Sequence, residues 1–179
     1  MAKVKSIYDY KVTSGDRFLF DNNVWMILFS PIANANERQQ KIYGRLLRDI
    51  TSARATIFIN ALIVSEYVNR SFRLNYELWK LQETKAGKYF VDYKRDYRES
   101  EAFEDARQDI VGEMAQILSV AEKKPDDFNA LNPLNILRTK GMDFNDGYYS
   151  YYCQLNNLIL VTDDKDLQNT SLDITILTT

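Results

Sequence analysis

The sequence has 179 residues, of which 45% are hydrophobic and 27% are charged, and its formal net charge is −2. A chain of this length buries about two-thirds of its unfolded surface, so we expect one domain over residues 1–179. No stretch approaches the roughly 18 apolar residues of a membrane-spanning helix, and residues 1–5 do not resemble a signal peptide. The low net charge excludes a general attraction to nucleic acid, so a polyanion would need a local basic patch.

The sequence contains no histidine and one cysteine. Without imidazole there is no Ser-His-Asp or Cys-His nucleophile and no zinc site with histidine ligands. Cys153 has no partner for an internal disulfide, and its apolar and aromatic neighbours favour a packed core thiol in a reducing, cytoplasmic compartment. An enzyme of this composition must use carboxylates, lysines, tyrosines or a metal, and clustered carboxylates favour Mg²⁺ or Mn²⁺.

Strand and helix patterns alternate along the chain. Short apolar runs predict strands over 17–20, 56–59 and 158–161, and alternation over 172–176 predicts a half-exposed edge strand. Periodic apolar residues predict helices over 22–29, from Asn36, from Asn60 to about Leu81, over 101–121, and from Asp143 or Asn145 through Leu155. Such alternation implies parallel β-α-β units. The predicted fold class is therefore α/β, a three-layer α/β/α sandwich with a small, mostly parallel central sheet.

Four carboxylates follow the predicted apolar elements. Asp21 and Asp164 come after buried strands, whereas Glu66 and Asp146 lie early in helices. A carboxylate just beyond a buried strand lies at the sheet edge where open α/β folds bind their ligands. Carboxylates that converge there can hold divalent cations, and such cations support phosphodiester hydrolysis without histidine.

The order of these motifs resembles that of the PIN-domain family, metal-dependent ribonucleases that include toxins of bacterial toxin–antitoxin pairs. The matching segments are Phe18-Leu19-Phe20-Asp21-Asn22-Asn23, Val64-Ser65-Glu66-Tyr67, Asn145-Asp146-Gly147 and Leu160-Val161-Thr162-Asp163-Asp164. By this resemblance, the catalytic, metal-binding acids would be Asp21, Glu66, Asp146 and Asp164, oriented by Asn23 and Thr162. The resemblance implies an endoribonuclease that uses Mg²⁺ or Mn²⁺ on single-stranded or structured RNA, a homodimer, and a small antitoxin protein as partner.

Some assignments stay open at the level of sequence. Asp143 could replace Asp146, and Asp163 or Asp166 could replace Asp164. An extended helical segment at about 82–134 is longer than a compact family member needs. Within it, residues 85–98 mix basic and aromatic side chains, which suits either contact with an RNA strand or a solvated, salt-bridged connection.

Each acid also has an ordinary structural interpretation, and the chain has other candidate functions. Asp21 could cap a helix, and Glu66 could pair with Arg70 four residues on. A non-catalytic PIN-like scaffold would bind RNA or protein without turnover. A haloacid-dehalogenase-type phosphatase would need a second acid two residues after the first, where this chain has Asn23.

Overall fold

The fold is taken from a computed structural model that describes residues 1–33, 36–139 and 141–179. The strands are β1 (Lys3–Ser6), β2 (Arg17–Phe20), β3 (Thr56–Ile59), β4 (Glu122–Lys123), β5 (Ile159–Val161) and β6 (Thr175–Thr178). The helices are α1 (Asn22–Phe29), α2 (Glu37–Ala53), α3 (Ala61–Lys85), α4 (Glu101–Val120), α5 (Pro133–Arg138), α6 (Phe144–Asn156) and α7 (Lys165–Gln168), with a short π-helix at Tyr93–Tyr97.

The strands form one sheet in the order β1-β6-β5-β2-β3-β4, and each pair of neighbours is parallel. Helices flank this sheet, so the predicted three-layer α/β sandwich is confirmed. Strand β2 lies between β5 and β3. Because parallel strands end at the same edge, the residues that follow β2, β5 and β3 come together there.

Local sequence signals account for the ends of several helices. Asn36 and Asn60 cap α2 and α3, since their side chains accept hydrogen bonds from backbone N–H groups of the first turn. Asn157 ends α6 in a left-handed conformation (φ 51°), which asparagine tolerates better than most residues. The predicted start of α3 at Asn60 is confirmed. At its other end, α3 continues to Lys85 rather than stopping at Leu81.

The sequence patterns do not predict β1 and β4, which lie at the two ends of the sheet. Strand β1 is largely exposed, and β4 has only two residues, so neither carries an apolar run. Because β1 pairs with β6, strand β6 lies between β1 and β5. The prediction of a half-exposed edge strand is therefore wrong. The consecutive residues Ile176 and Leu177 are both fully buried, as expected when both faces of a strand are covered.

The core is formed by apolar residues of the central strands together with residues of the flanking helices. Its largest fully buried side chains include Trp25, Tyr43, Tyr67, Tyr149, Tyr152, Phe18 and Phe20. Cys153 is fully buried, and burial raises the pKa of its thiol, in agreement with a packed core residue. Leu78, which the periodicity of α3 assigned to the core, is instead 47% exposed. Within the described ranges, no helix is both long and apolar enough to cross a membrane.

In the segment 85–98, which mixes basic and aromatic residues, Tyr97 packs against aromatic side chains of α3. The ring of Tyr97 is fully buried and lies 5.4 Å from that of Tyr76 and 5.2 Å from that of Trp79. Two of the basic residues form ion pairs, Lys88 with Glu83 at 2.6 Å and Arg95 with Asp96 at 2.8 Å. These contacts favour a salt-bridged connection over a surface that follows an RNA strand.

We predict that Leu177→Ala lowers the free energy of unfolding by about 2–4 kcal/mol, as is usual for truncation of a buried leucine. The physical reason is that Leu177 is fully buried in an interior strand. Chemical denaturation would measure the change, with Val4→Ala on exposed β1 as the control. A half-exposed edge strand would instead give a loss within about 0.5 kcal/mol at Leu177.

Candidate metal centre

Asp21 lies at the end of the central strand β2 and is almost completely buried, with 4% of its surface exposed. Its backbone N–H bonds to the carbonyl of Val161 at the end of β5, which joins the two strand ends. Its Oδ2 accepts hydrogen bonds from the Thr162 hydroxyl at 2.8 Å and from the Asn23 side-chain amide at 3.3 Å. Asp21 thus occupies the N-cap position of α1, but its carboxylate binds Thr162 and the side chain of Asn23 and, among the described contacts, makes no cap hydrogen bond.

Glu66 lies in the second turn of α3, the helix that follows β3, and its charge acts on Asp21 at the same sheet edge. Its Oε2 accepts hydrogen bonds from the Tyr149 hydroxyl at 2.5 Å and from the Asn145 amide at 3.2 Å. Its Oε1 accepts from the Asn22 amide at 3.4 Å. Arg70, the alternative partner of Glu66, donates to Asn23 Oδ1 at 2.6 Å. Neutral donors from α1 and α6 thus orient Glu66.

Asp146 lies in the first turn of α6, and the preceding Asp143 caps that helix. Asp143 Oδ1 accepts the backbone N–H of Asp146 at 2.9 Å. The side chain of Asp146 is half-buried, whereas that of Asp143 is exposed. The half-buried position of Asp146 and the effect of the Asp164 and Asp21 charges on it favour Asp146 over Asp143 as the acid of the candidate site.

Asp163 and Asp164, which follow β5, have different hydrogen-bond partners. The Thr162 hydroxyl donates to Asp21 and accepts the backbone N–H of Asp164 at 2.9 Å. Asp163 instead faces the end of the chain, where its Oδ1 accepts from the Thr179 N–H at 2.9 Å and from the Thr178 hydroxyl at 3.1 Å. Burial alone would raise the pKa of Asp163, but these hydrogen bonds outweigh it, and the pKa lies below its ordinary value.

Asp164 is half-buried beside Asp21, and its Oδ1 caps the short helix α7 by accepting the backbone N–H of Asp166 at 2.8 Å. A carboxylate has further lone pairs, so this cap leaves the other oxygen available. Asp166 is exposed and lies in the first turn of α7. The arrangement favours Asp164 over Asp163 and Asp166, although the identity of the ligand stays a prediction.

Negative charge accumulates at this edge. Burial raises the pKa of Asp21 to about 6, and the nearby charges of Glu66 and Asp164 add to the effect, although the Thr162 hydroxyl opposes it. Burial also raises the pKa of Asp146 to about 7, with further contributions from the charges of Asp143, Asp164 and Asp21, in that order. The acids are therefore close enough to repel one another. A cation bound between them would relieve that repulsion.

The carboxylates do not form a ready-made metal cage. Among the residues that the structure describes, no group of three or more Asp, Glu, His or Cys side chains is arranged to hold an ion as it stands. Their donor chemistry nevertheless fits Mg²⁺ or Mn²⁺, because these ions prefer carboxylate oxygens and Mg²⁺ keeps several of its waters. One or two direct carboxylate contacts, with others through water, would satisfy such an ion.

Sequence reasoning missed three residues that contact Glu66, namely Asn22, Asn145 and Tyr149. From sequence, Asn22 and Asn145 are a helix start and a motif residue, and a run of tyrosines in an amphipathic helix predicts packing in the core. Tyr149 is indeed buried, but its hydroxyl also donates to Glu66, and its own pKa is raised by burial and by that carboxylate. Its position three residues after Asp146, on the same helical face, was the available signal.

Comparison with known proteins supports the fold. Scans of the sequence against models of protein families and against curated proteins find no match. A solved structure of VapBC2 from Rickettsia felis, bound to a DNA fragment from their promoter, is similar to this chain with a TM-score of 0.53 and 15% identity. The similarity covers 90% of this chain and 98% of that one. PAE2754 from Pyrobaculum aerophilum is 18% identical with a TM-score of 0.43, over 96% of this chain and 90% of that one.

The similarity to the VapBC2 structure, which has the higher TM-score, supports a conclusion about the fold of this chain. This chain has a PIN-domain-like fold, as the ordered acidic motifs predicted. At this level of identity the likeness concerns the fold alone, so activity, metal and partners depend on the chain's own residues.

We predict that Asp21→Asn raises the free energy of unfolding by about 1–3 kcal/mol in EDTA at pH 8. A carboxyl whose pKa is raised by folding destabilises the folded state once it ionises. The gain should therefore be full above about pH 6, fade as the pH falls through that value, and vanish only below the ordinary pKa of about 3.9, where Asp21 is protonated in both states. Denaturant melts at pH 8 and below that ordinary pKa would measure it, with Asp105→Asn on exposed α4 as the control. Equal or lower stability of the variant at pH 8 would contradict the prediction.

Proposed function

We propose that this protein is a metal-dependent endoribonuclease that hydrolyses phosphodiester bonds of single-stranded or structured RNA. What supports the proposal is the mutual influence of four acids in a PIN-like fold: the charges of Glu66 and Asp164 act on Asp21, and those of Asp164 and Asp21 act on Asp146. Two of these acids have raised pKa values because they are buried beside other negative charges. Such an arrangement costs folding energy, and a bound cation would offset that cost.

The same four acids would hold Mg²⁺ or Mn²⁺. When bound, the ion would lower the pKa of an attacking water and neutralise charge on the phosphate oxygens. Neighbouring side chains fix the orientation of two of these carboxylates. Thr162 and Asn23 hold Asp21 by hydrogen bonds, and Tyr149 holds Glu66. These donors are neutral, so they orient the carboxylates without cancelling the charge that attracts a cation.

The alternatives proposed from sequence make different demands on these residues. In a haloacid-dehalogenase-type phosphatase, Asn23 would stand where the general acid is needed, and Glu66 would have no role. Asn23 here donates to Asp21 and accepts from Arg70, which is the behaviour of a positioning residue. A non-catalytic PIN-like scaffold would keep the fold but would show neither metal binding nor RNA cleavage.

The proposal extends to partners. Toxins of the PIN family pair with small antitoxin proteins, and the likeness to VapBC2 supports such a partner for this chain. A homodimer and a cytoplasmic location belong to the same proposal. A short reading frame immediately upstream, of the kind that encodes an antitoxin, would support the toxin function.

The first test is cleavage of a mixed, labelled single-stranded RNA in the presence of Mn²⁺. We expect cleavage that both EDTA and Asp21→Asn abolish, because Asp21 is the most buried of the proposed ligands. Gel electrophoresis would detect the products, and calorimetry would measure metal binding in parallel. Metal binding without cleavage would indicate a nuclease that needs its own target RNA. If neither occurs, the scaffold is the better description.

A second test compares two neighbouring acids. We expect Asp164→Asn to lower the rate of cleavage by at least about 100-fold, since even partners that only orient a metal ligand contribute 10–100-fold. Asp166→Asn removes the same charge from an exposed site and should change the rate only a few-fold. The opposite result would move the ligand to Asp166.

A further inference from the structure

A cavity of about 480 Å³ opens beside Glu66 and is lined by residues of α3 and by Asn145 of α6. Its lining also includes Arg70 and Arg73, so the cavity extends along α3 beyond Glu66. The two arginines follow Glu66 at spacings of four and seven residues. Residues at these spacings lie on one face of a helix, so the two arginines and the glutamate line the same side of the cavity. We call this space the arginine cavity.

The charge of the arginine cavity is opposite to that of the neighbouring acids. Both arginines are exposed, and within the described residues neither forms an ion pair with a carboxylate. Arg70 is anchored by its hydrogen bond to Asn23, which in turn contacts Asp21. The protein as a whole carries a net charge of −2 and cannot attract a polyanion by its overall field. The two arginines therefore supply positive charge next to the candidate site.

The other lining residues suit the remaining parts of a nucleotide. Leu62 and Leu74 provide apolar surface for a base or sugar, and Asn69 and Asn145 provide amide groups that can donate and accept hydrogen bonds. The volume lies within the range of small-ligand sites, about 300–1,000 Å³. Arginine binds phosphate through paired N–H groups, which makes it the usual residue for phosphate recognition.

We propose that the arginine cavity binds one nucleotide of the RNA adjacent to the scissile phosphodiester, with Arg73 and Arg70 holding its phosphate. This proposal rests on the nuclease function and deepens it by assigning a substrate site. Glu66 marks the boundary between the two regions, since it lines the cavity and also belongs to the acidic cluster. A strand held by the arginines would thus continue past the carboxylates.

Binding of a short labelled single-stranded RNA tests the proposal without any need for cleavage. Fluorescence anisotropy in EDTA, between about 50 and 200 mM salt, gives the affinity and its salt dependence. We expect Arg73→Gln to weaken binding by roughly 5- to 20-fold and to reduce the slope of log K against log salt by about 0.7, the value for one phosphate contact on a single strand. Arg70→Gln should act similarly.

Arg107→Gln is the matched control, because it removes the same charge from an exposed arginine on α4 that pairs with Glu104. It should leave both affinity and slope close to those of the wild type. The proposal is overturned if Arg73→Gln also leaves them unchanged, or if the wild-type protein does not bind RNA. RNA binding that depends on Arg73, with neither Mn²⁺ binding nor Mn²⁺-dependent cleavage, would contradict the nuclease function while keeping the RNA site. Cleavage with arginine-independent binding would contradict only the RNA site.

Discussion

The parallel pairing of β2 with β5 is the constraint on which the candidate site depends. It aligns Phe20 with Val161, so that the next residues, Asp21 and Thr162, leave the sheet side by side. The Thr162 hydroxyl then holds the carboxylate of Asp21 and receives the backbone N–H of Asp164. A shift of register by one residue would send these side chains to opposite faces of the sheet. The position of the acids is therefore set by backbone pairing deep in the core.

Electrostatic strain at this edge connects the fold with the proposed chemistry. The acidic side chains are oriented by amides and hydroxyls, and burial beside like charges leaves the pKa values of Asp21 and Asp146 raised. Neutral donors fix the geometry of a carboxylate and leave the negative charge in place. An uncharged isostere at Asp21 would avoid the energetic cost of that charge. A divalent cation needs the negative charge, which is why the energetic cost supports the proposed function.

In the proposed function, the acidic cluster would hold the metal ions and the arginine cavity would hold the RNA strand beside them. RNA approaches acids poorly, so a site that cleaves it needs positive charge nearby as well as metal ions. Helix α3 carries one proposed metal ligand and the nearby positive charge, because Glu66 faces the acids while Arg70 and Arg73 follow on the next two turns. The long segment after α3 has a different character. There Tyr97 packs on Tyr93 and on Tyr76 of α3, and Arg95 pairs with Asp96. Tyr89 and Phe90 are exposed.

The sequence by itself determined the α/β class, the central strands, the caps at Asn36 and Asn60, and the order of the four acids, because these depend on local patterns of apolar and capping residues. It did not predict β1 or the interior position of β6, since that pairing joins segments about 170 residues apart and β1 carries no apolar signal. Only the tertiary structure shows which acids form hydrogen bonds away from the candidate site. Asp163 bonds to the final strand and Asp143 to its own helix, and the hydroxyl of Tyr149 reaches Glu66 only when α6 packs beside α3. Adjacent aspartates look alike in sequence, and long-range packing is what gives each one a different environment.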